Sequence, residues 1–174
     1  TVTGSDERVY PPMSTFLEES GVEIMEGYHA SNIPESADVI IIGNTISRGN
    51  EEAEEALNRK LLYQSLPEVL KDQFLRGKRN FVVTGTHGKT TTSAILTWVL
   101  QSAGREPGYM IGGIPGNLGR GACFTDSELN VLEGDEYDTA FFDKRSKFLH
   151  YLPEFVIINN IEFDHADIYD SLDD

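Results

Sequence analysis

Short apolar runs alternate along this chain with segments that have helical periodicity. The predicted strands are the mainly apolar runs 39–42, 81–84, 129–132 and 155–160. Runs of this kind are typical of parallel strands that are covered on both faces. Because helices are predicted between them, the alternation predicts an α/β fold built on parallel sheets.

Polar residues mark where two of these helices begin. Asn50 is a predicted N-cap, and Glu51 and Glu52 follow it in the first turn, where their charge suits the helix dipole. Ser65-Leu66-Pro67-Glu68 has the pattern of a capping box. It predicts a second helix, which ends near Gly77.

A third helix is predicted from Thr90, with Gly104 as its stop. Apolar side chains recur in it at helical spacing, so we expect them to form one buried stripe. The stripe consists of Ala94, Ile95, Trp98 and Val99.

Between the strand 81–84 and this helix lies the segment Gly85-Thr86-His87-Gly88-Lys89-Thr90-Thr91, which we call the phosphate loop. Its glycines allow a positive φ and a close backbone approach. The N–H groups and dipole of the helix start converge with Lys89 on one small volume, which suits a polyphosphate. The Thr90 hydroxyl would lie where Mg²⁺ bridges the phosphates. The alternative is an ordinary glycine turn with an exposed lysine.

Two later strands lead into acidic segments. The strand 129–132 is followed by Glu133-Gly134-Asp135-Glu136-Tyr137-Asp138, the acidic segment, and the strand 155–160 by Asp164 and His165. Ligands bind at the carboxyl ends of such strands. Crowded carboxylates repel unless solvent or a cation offsets them, so the acidic segment is either a solvated turn or a magnesium site. The residues alone leave both open, and they leave His165 as either a structural residue or a ligand.

Composition narrows the class of protein. The chain carries 29 acidic and 14 basic residues, a formal net charge of −15, which argues against a surface for nucleic acid or anionic membrane. A single cysteine, Cys123, excludes an internal disulfide and a cysteine zinc cluster. The 39% apolar content supports a core, and no apolar run is long enough to span a membrane. We therefore expect a soluble, cytoplasmic protein.

The chain resembles the Mur ligase family, the ATP-dependent amide-forming enzymes of bacterial cell-wall synthesis. Three ordered motifs carry the resemblance: the compact phosphate loop, the acidic segment, and Asn160-Ile161-Glu162-Phe163-Asp164-His165. The corresponding family patterns after the loop are Glu-x-Asp-Glu-x-Asp and Asn-Ile-x-x-Asp-His. Three matches in the family's order make coincidence a poor explanation.

The resemblance implies roles for single residues. The phosphate loop would bind ATP, with Lys89 at the terminal phosphates. Thr90 and Glu133 would hold a first Mg²⁺, and His165 would help hold a second cation near the reacting carboxylate. Further substrate contacts are expected from Ser5, Asp6, Asn44 and Asn160.

Within the family, the acidic segment is similar to the branch whose acid substrate is UDP-N-acetylmuramate. The stretch 137–148 is similar to members that add the tripeptide L-alanyl-γ-D-glutamyl-meso-diaminopimelate in peptidoglycan recycling, and we call its basic part, 143–148, the basic insertion. Members that add L-alanine lack the basic insertion, and they are the alternative.

The basic insertion supplies candidate contacts to such a tripeptide. The tripeptide brings several carboxylates, so Lys144 and Arg145 would bind it by charge-assisted hydrogen bonds. In the alternative, the two side chains only form surface ion pairs with Asp138 and Asp143.

The basic stretch at residues 76–79 is the predicted domain boundary. Residues 1–78 are expected to form an incomplete Rossmann-like domain that binds the UDP substrate, and 79–174 the first part of a P-loop α/β domain that binds ATP. Family members also have an initial strand with a glycine-rich loop and a C-terminal domain, and we expect both to be missing here. For such a fragment alone, a nucleotide-binding module without turnover is the competing hypothesis.

Overall fold

Strands and helices alternate in the computed structural model, which describes residues 1–162. Thr1–Gln64 form one compact unit, and the described residues from Ser65 onward belong to a second. The predicted α/β class is confirmed, because parallel strand pairs occur in both units. The sequence places the domain boundary later, after residue 78, and that assignment stays a prediction.

The first unit contains two strand pairs. Its elements are β1 (Thr3–Asp6), α1 (Met13–Glu19), β2 (Glu23–Glu26), β3 (Ile40–Ile42), α2 (Glu51–Asn58) and β4 (Tyr63–Ser65), with a 3₁₀ turn at Ala30–Asn32. Strand β1 is parallel to β2, and β3 pairs with β4. The Asn50 cap is confirmed, since its side chain accepts hydrogen bonds from the N–H groups of Glu52 and Ala53 at 3.1 and 3.0 Å.

One expectation for β3 is wrong within this unit. The apolar run predicted a strand covered on both faces, but Ile41 is 51% exposed whereas Ile42 is 4% exposed. Neighbouring side chains of a strand point to opposite faces, so only the Ile42 face is buried here.

A five-stranded sheet forms the centre of the second unit. The elements are α3 (Leu66–Leu70), a π-helical turn (Lys71–Leu75), β5 (Arg79–Thr84), α4 (Lys89–Ser102), β6 (Gly108–Met110), β7 (Ala122–Cys123), β8 (Leu129–Glu133), β9 (Asp138–Ala140), β10 (Asp143–Ser146), a 3₁₀ turn (Lys147–His150) and β11 (Pro153–Ile158). The sheet order is β11-β5-β8-β6-β7, and only β7 runs antiparallel to its neighbour. The capping box at Ser65 and Glu68 is confirmed.

Apolar side chains cover both faces of the middle of this sheet, but the expectation of a strand covered on both faces is wrong for β11, where Val156 and Ile158 are 52% and 57% exposed. On one face the buried cluster comprises Leu70, Leu75, Val82, Leu132 and Tyr151. On the other it comprises Tyr109, Ile111 and Val131, with α4 packed against it. The alternation of Phe81 and Val82 along β5 separates the two clusters, because successive side chains of a strand point to opposite faces.

The predicted buried stripe of α4 is wrong for three of its four residues. Ile95, Trp98 and Val99 are 57%, 55% and 48% exposed. The buried side of α4 instead carries Ser93 and Thr97, and Ala94, Leu96 and Leu100 pack around it. The helix has apolar residues on more than one side, so periodicity alone does not say which side meets the sheet.

The core of the second unit gives a first prediction. Leu75 is 0% exposed, so Leu75→Ala should lower the free energy of unfolding by about 2–5 kcal/mol through lost burial and the cavity left behind. Urea unfolding, followed by circular dichroism and by the fluorescence of Trp98, measures the change. Leu149 is 58% exposed, so Leu149→Ala should change the same quantity by about 0.5 kcal/mol or less. Equal losses in the two variants would contradict the packing described.

Candidate functional site

Three functional segments meet at one edge of the five-stranded sheet. Strand β5 lies between β8 and β11 and is parallel to both. The carboxyl ends of the three strands therefore lie side by side. They carry the phosphate loop, the acidic segment that begins at Glu133, and the pair Asn159 and Asn160. This is the edge where open parallel sheets bind ligands.

The phosphate loop needs glycine at two positions. Gly85 has φ +119° and Gly88 has φ +79°, values that side-chain-bearing residues rarely adopt. A Cβ on Gly85 would lie 2.7 Å from the backbone oxygen of Asn160, and one on Gly88 would lie 3.2 Å from the Asn159 amide nitrogen. The predicted close backbone approach is therefore present, and the neighbour is the end of β11.

Asn159 and Asn160 bind the backbone of the phosphate loop. The side-chain oxygen of Asn160 accepts a hydrogen bond from the N–H of His87 at 2.8 Å, and its backbone oxygen accepts one from the N–H of Thr86 at 3.1 Å. The Asn159 amide donates to the oxygen of His87 at 3.1 Å and accepts from the Thr92 hydroxyl at 3.2 Å. Asn160, predicted as a substrate contact, thus holds the loop, and its substrate role stays a prediction.

Thr90 and Glu133 lie in contact, as a shared metal would require. The Thr90 hydroxyl donates to Oε1 of Glu133 at 2.7 Å, and the N–H of Gly112 donates to Oε2 at 2.6 Å. Hydroxyl and carboxylate oxygens are ligands that Mg²⁺ accepts. Residues 1–162 contain no group of three His, Cys, Asp or Glu side chains placed to hold a metal. Magnesium at this point would therefore need phosphate oxygens or water as further ligands, which is its usual manner of binding.

The start of α4 offers donors for an anion. Gly88 is its N-cap, and no side chain in the described part of the chain caps the helix. The first N–H groups of a helix lack partners within it, and the helix dipole adds positive potential there. The Lys89 ammonium lies beside this turn, 2.8 Å from the backbone oxygen of Gly85. Together these donors suit the phosphates of a nucleotide.

Sequence analysis missed Asn159 and Gly112 as members of the site. Asn159 precedes a motif residue but has no distinctive pattern of its own. Gly112 opens a stretch with five glycines in ten residues, a composition that predicts a loop, either a surface connection or a loop that lies over a substrate. The loop runs from β6 to β7 and brings the Gly112 N–H to Glu133. The cluster of glycines was the signal that a backbone approaches something closely there.

The basic insertion forms ion pairs with its own neighbours. Lys144 lies 2.7 Å from Asp138, and the guanidinium of Arg145 makes two hydrogen bonds to Asp143, at 2.8 and 2.6 Å. These are the pairs that the surface alternative predicted. The Arg145 hydrogen bond holds the pKa of Asp143 well below its usual range. The buried ring of His150 lies 2.9 Å from the same carboxylate.

The predicted substrate contacts of the first unit lie around the ends of β1 and β3. The Ser5 hydroxyl donates to Glu52, which also accepts from the Asn32 amide at 2.7 Å. Asp6 accepts from the N–H of Arg8 at 3.1 Å, and Asn44 is exposed. Their role in substrate binding stays a prediction. His165 lies outside the described residues.

The fold and site define a parallel α/β protein with a glycine- and lysine-containing loop at the carboxyl edge of its sheet. Residues 1–78 match the Mur ligase family, catalytic domain, and residues 83–174 match the Mur ligase middle domain. The chain belongs to the Mur ligase family.

Individual relatives are similar over nearly the whole chain. The chain is 53% identical, over 98% of its length, to the UDP-N-acetylmuramate–L-alanyl-γ-D-glutamyl-meso-2,6-diaminoheptandioate ligase of Escherichia coli K12. It is 35% identical, over 99% of its length, to the UDP-N-acetylmuramate–L-alanine ligase of Syntrophomonas wolfei, of which it covers 35%. The crystal structure of the UDP-N-acetylmuramate:L-alanyl-γ-D-glutamyl-meso-diaminopimelate ligase of Neisseria meningitides matches 99% of the chain, with a TM-score of 0.94 and 48% identity.

These relatives are longer than the chain. It spans 37% of the Escherichia coli ligase and 56% of the Neisseria structure. In its described part, no helix is both long and apolar enough to cross a membrane.

The contact between the phosphate loop and Asn160 gives a second prediction. Gly85→Ala should lower the free energy of unfolding by about 3 kcal/mol, because the cost of a positive φ at a residue with a Cβ adds to the cost of a clash with the Asn160 backbone. Gly104 is the matched control, since its φ is +71° but nothing lies within 4 Å of its would-be Cβ. Gly104→Ala should cost only about 1–2 kcal/mol. Urea unfolding measures both variants, and equal costs would show that Asn160 does not constrain the loop.

Proposed function

We propose that this chain is part of an ATP-dependent ligase that joins the lactyl carboxylate of UDP-N-acetylmuramate to the amine of L-alanyl-γ-D-glutamyl-meso-diaminopimelate. The carboxylate would attack the γ-phosphorus of ATP, which releases ADP and leaves an acyl phosphate. The amine would then attack the acyl carbon, and inorganic phosphate would leave. The observation that carries the proposal is the contact between Thr90 and Glu133 beside Lys89, at the end of the phosphate loop.

The first step brings an anionic carboxylate to an anionic phosphate, so it needs positive charge that is already in place. Lys89 and the N–H groups at the start of α4 supply such charge and orient the phosphates. Thr90 and Glu133 would hold Mg²⁺, which offsets the charge of the phosphates when it is bound. His165 is proposed to help hold a second cation near the substrate carboxylate.

The amine substrate is proposed to be the tripeptide rather than L-alanine. The chain is 53% identical to a ligase named for the tripeptide and 35% identical to one named for L-alanine. In the basic insertion, Lys144 and Arg145 pair with Asp138 and Asp143, so a tripeptide carboxylate would have to exchange with these partners. Ser5, Asp6, Asn44 and Asn160 are proposed to contact UDP-N-acetylmuramate. Because the chemistry consumes ATP and a UDP-linked precursor, we place it in the cytoplasm, in peptidoglycan recycling.

The domain assignment follows the same proposal. Residues 1–78 would bind the UDP substrate, and 79–174 would supply the first part of the ATP site. The matched family segments, 1–78 and 83–174, support this division. For the chain by itself, nucleotide binding without turnover is the second candidate, because it spans 37% of its ligase relative.

Lys89 gives the most direct test of the chemistry. In a full-length ligase that carries this chain, Lys89→Ala should lower the rate of substrate-dependent ADP release by about a hundredfold or more. Lys60, exposed in the first unit, provides the control, and Lys60→Ala should leave the rate unchanged. A coupled assay of ADP release, with UDP-N-acetylmuramate and tripeptide present, measures both. Normal ADP release from Lys89→Ala would reject the proposed role of the phosphate loop.

The basic insertion gives a separate test of the amine substrate. If Arg145 binds a tripeptide carboxylate, Arg145→Ala should raise the tripeptide KM by about tenfold to a hundredfold and leave the UDP-N-acetylmuramate KM unchanged. Arg76 is a matched control, because the two arginines have similar exposure and each pairs with one aspartate. The Arg76 side chain is 62% exposed and pairs with Asp72, and the Arg145 side chain is 64% exposed and pairs with Asp143. Arg76→Ala should leave the tripeptide KM unchanged. An unchanged tripeptide KM in Arg145→Ala would assign the insertion a structural role only.

A further inference from the structure

The Lys89 ammonium is enclosed by acceptors of the protein itself. A lysine ammonium has three N–H donors. Those of Lys89 face the backbone oxygens of Gly85 and Thr86, at 2.8 and 3.3 Å, and the carboxylate of Glu136. The shortest distance to that carboxylate is 2.9 Å, to Oε2. The side chains of Lys89 and Glu136 are only 12% and 14% exposed, so little water competes for the pair.

The other acids of the acidic segment contact different partners. Glu133 accepts from Thr90 and Gly112, as described above. Asp135 lies 3.6 Å from Lys147, which also lies over the ring of Tyr137, and Asp138 pairs with Lys144. Within residues 1–162, Glu136 is therefore the acid of this segment that forms the ion pair with the lysine of the phosphate loop.

This pairing affects any polyphosphate that enters the loop. A phosphate oxygen can approach Lys89 closely only if it shares or replaces the contact with Glu136, because the ammonium has no fourth donor. A carboxylate that stayed in place would also repel the incoming negative charge, and this repulsion is strong where water is largely excluded. In the absence of a phosphate, the same carboxylate offsets a lysine charge that is mostly removed from water.

We propose that Glu136 is a positioning residue that acts through Lys89. In the nucleotide-free protein it serves as an internal counter-ion, which holds the Lys89 side chain against the phosphate loop. It gives up the ammonium when a polyphosphate binds, and the exchange weakens nucleotide affinity. This inference rests on the proposed function in one respect, that the ligand of the loop is a polyphosphate.

The ion pair is tested without any nucleotide. Lys89 in the whole chain is labelled with a small amine-reactive reagent, and mass spectrometry of the Lys89 peptide gives the rate. Glu136→Gln should raise this rate by about tenfold, because a charge-assisted hydrogen bond that restrains the amine is lost. Asp135→Asn, which removes a neighbouring charge of the same segment, should leave it unchanged. Equal Lys89 rates in wild type and Glu136→Gln would overturn the proposal.

The exchange is tested by adding magnesium tripolyphosphate and measuring how far it protects Lys89 from the amine-reactive reagent. Tripolyphosphate is a probe that needs no adenine site. The concentration that gives half protection should be about tenfold lower in Glu136→Gln than in wild type. An unchanged or higher concentration, or no protection in either protein, would contradict the exchange. A solely structural Glu136 would alter the unfolding midpoint and leave this concentration unchanged.

A second variant covers the case in which Glu136→Gln does not fold. Glu136→Asp keeps the charge on a shorter side chain, which reaches Lys89 less well. Its Lys89 labelling rate should therefore lie above that of wild type and below that of Lys89 in the unfolded chain. A wild-type rate in a folded Glu136→Asp protein would overturn the proposal. None of these readouts uses ligase turnover, so failure of the proposed reaction and failure of the Glu136 exchange are distinguishable.

Discussion

The phosphate loop keeps its shape because the end of a neighbouring strand binds its backbone. Asn159 and Asn160 follow β11 and make hydrogen bonds to Thr86, His87 and Thr92. Gly85 lies so close to Asn160 that a Cβ on it would meet the backbone oxygen at 2.7 Å. The site therefore depends on the sheet order, since only the adjacency of β11 and β5 brings these two segments together.

The site has local hydrogen-bond donors that suit an anion, although the chain as a whole is strongly acidic. The formal net charge is −15, so the overall field opposes a nucleotide. Local donors act at shorter range, and they are concentrated at the start of α4 and at Lys89. The nearby acids are held by partners, with Glu133 on Thr90 and Glu136 on Lys89. Under the proposed function, a phosphate that binds Lys89 would have to exchange with Glu136.

Local signals in the sequence predicted the parts of the structure that local chemistry determines. The caps at Asn50 and Ser65 and the bend at Gly85 and Gly88 each need only a few adjacent residues, and the structure contains all of them. The contact of Thr90 with Glu133 was implied by the family resemblance, and the sheet brings these residues together.

Other features depend on tertiary contacts that no short pattern encodes. The buried side of α4 was assigned to Ala94, Ile95, Trp98 and Val99, but Ser93 and Thr97 are the residues buried there. Packing against the sheet decides which side of a helix is covered, and apolar residues on several sides leave that choice open in the sequence. The sequence analysis missed Asn159 and Gly112 for the same reason, because their partners in the site lie more than 20 residues away along the chain. The role of Asn160 in holding the loop likewise required β11 to lie beside β5.

The central claim is that the phosphate loop and the start of α4 bind polyphosphate through their backbone N–H groups and Lys89. Backbone amide NMR of the chain, titrated with magnesium tripolyphosphate and separately with AMP, tests it residue by residue. The account predicts that the amide signals of Gly85, Gly88, Lys89 and Thr90 shift with tripolyphosphate and far less with AMP. Signals that stay in place with tripolyphosphate, or that shift equally with AMP, would contradict it.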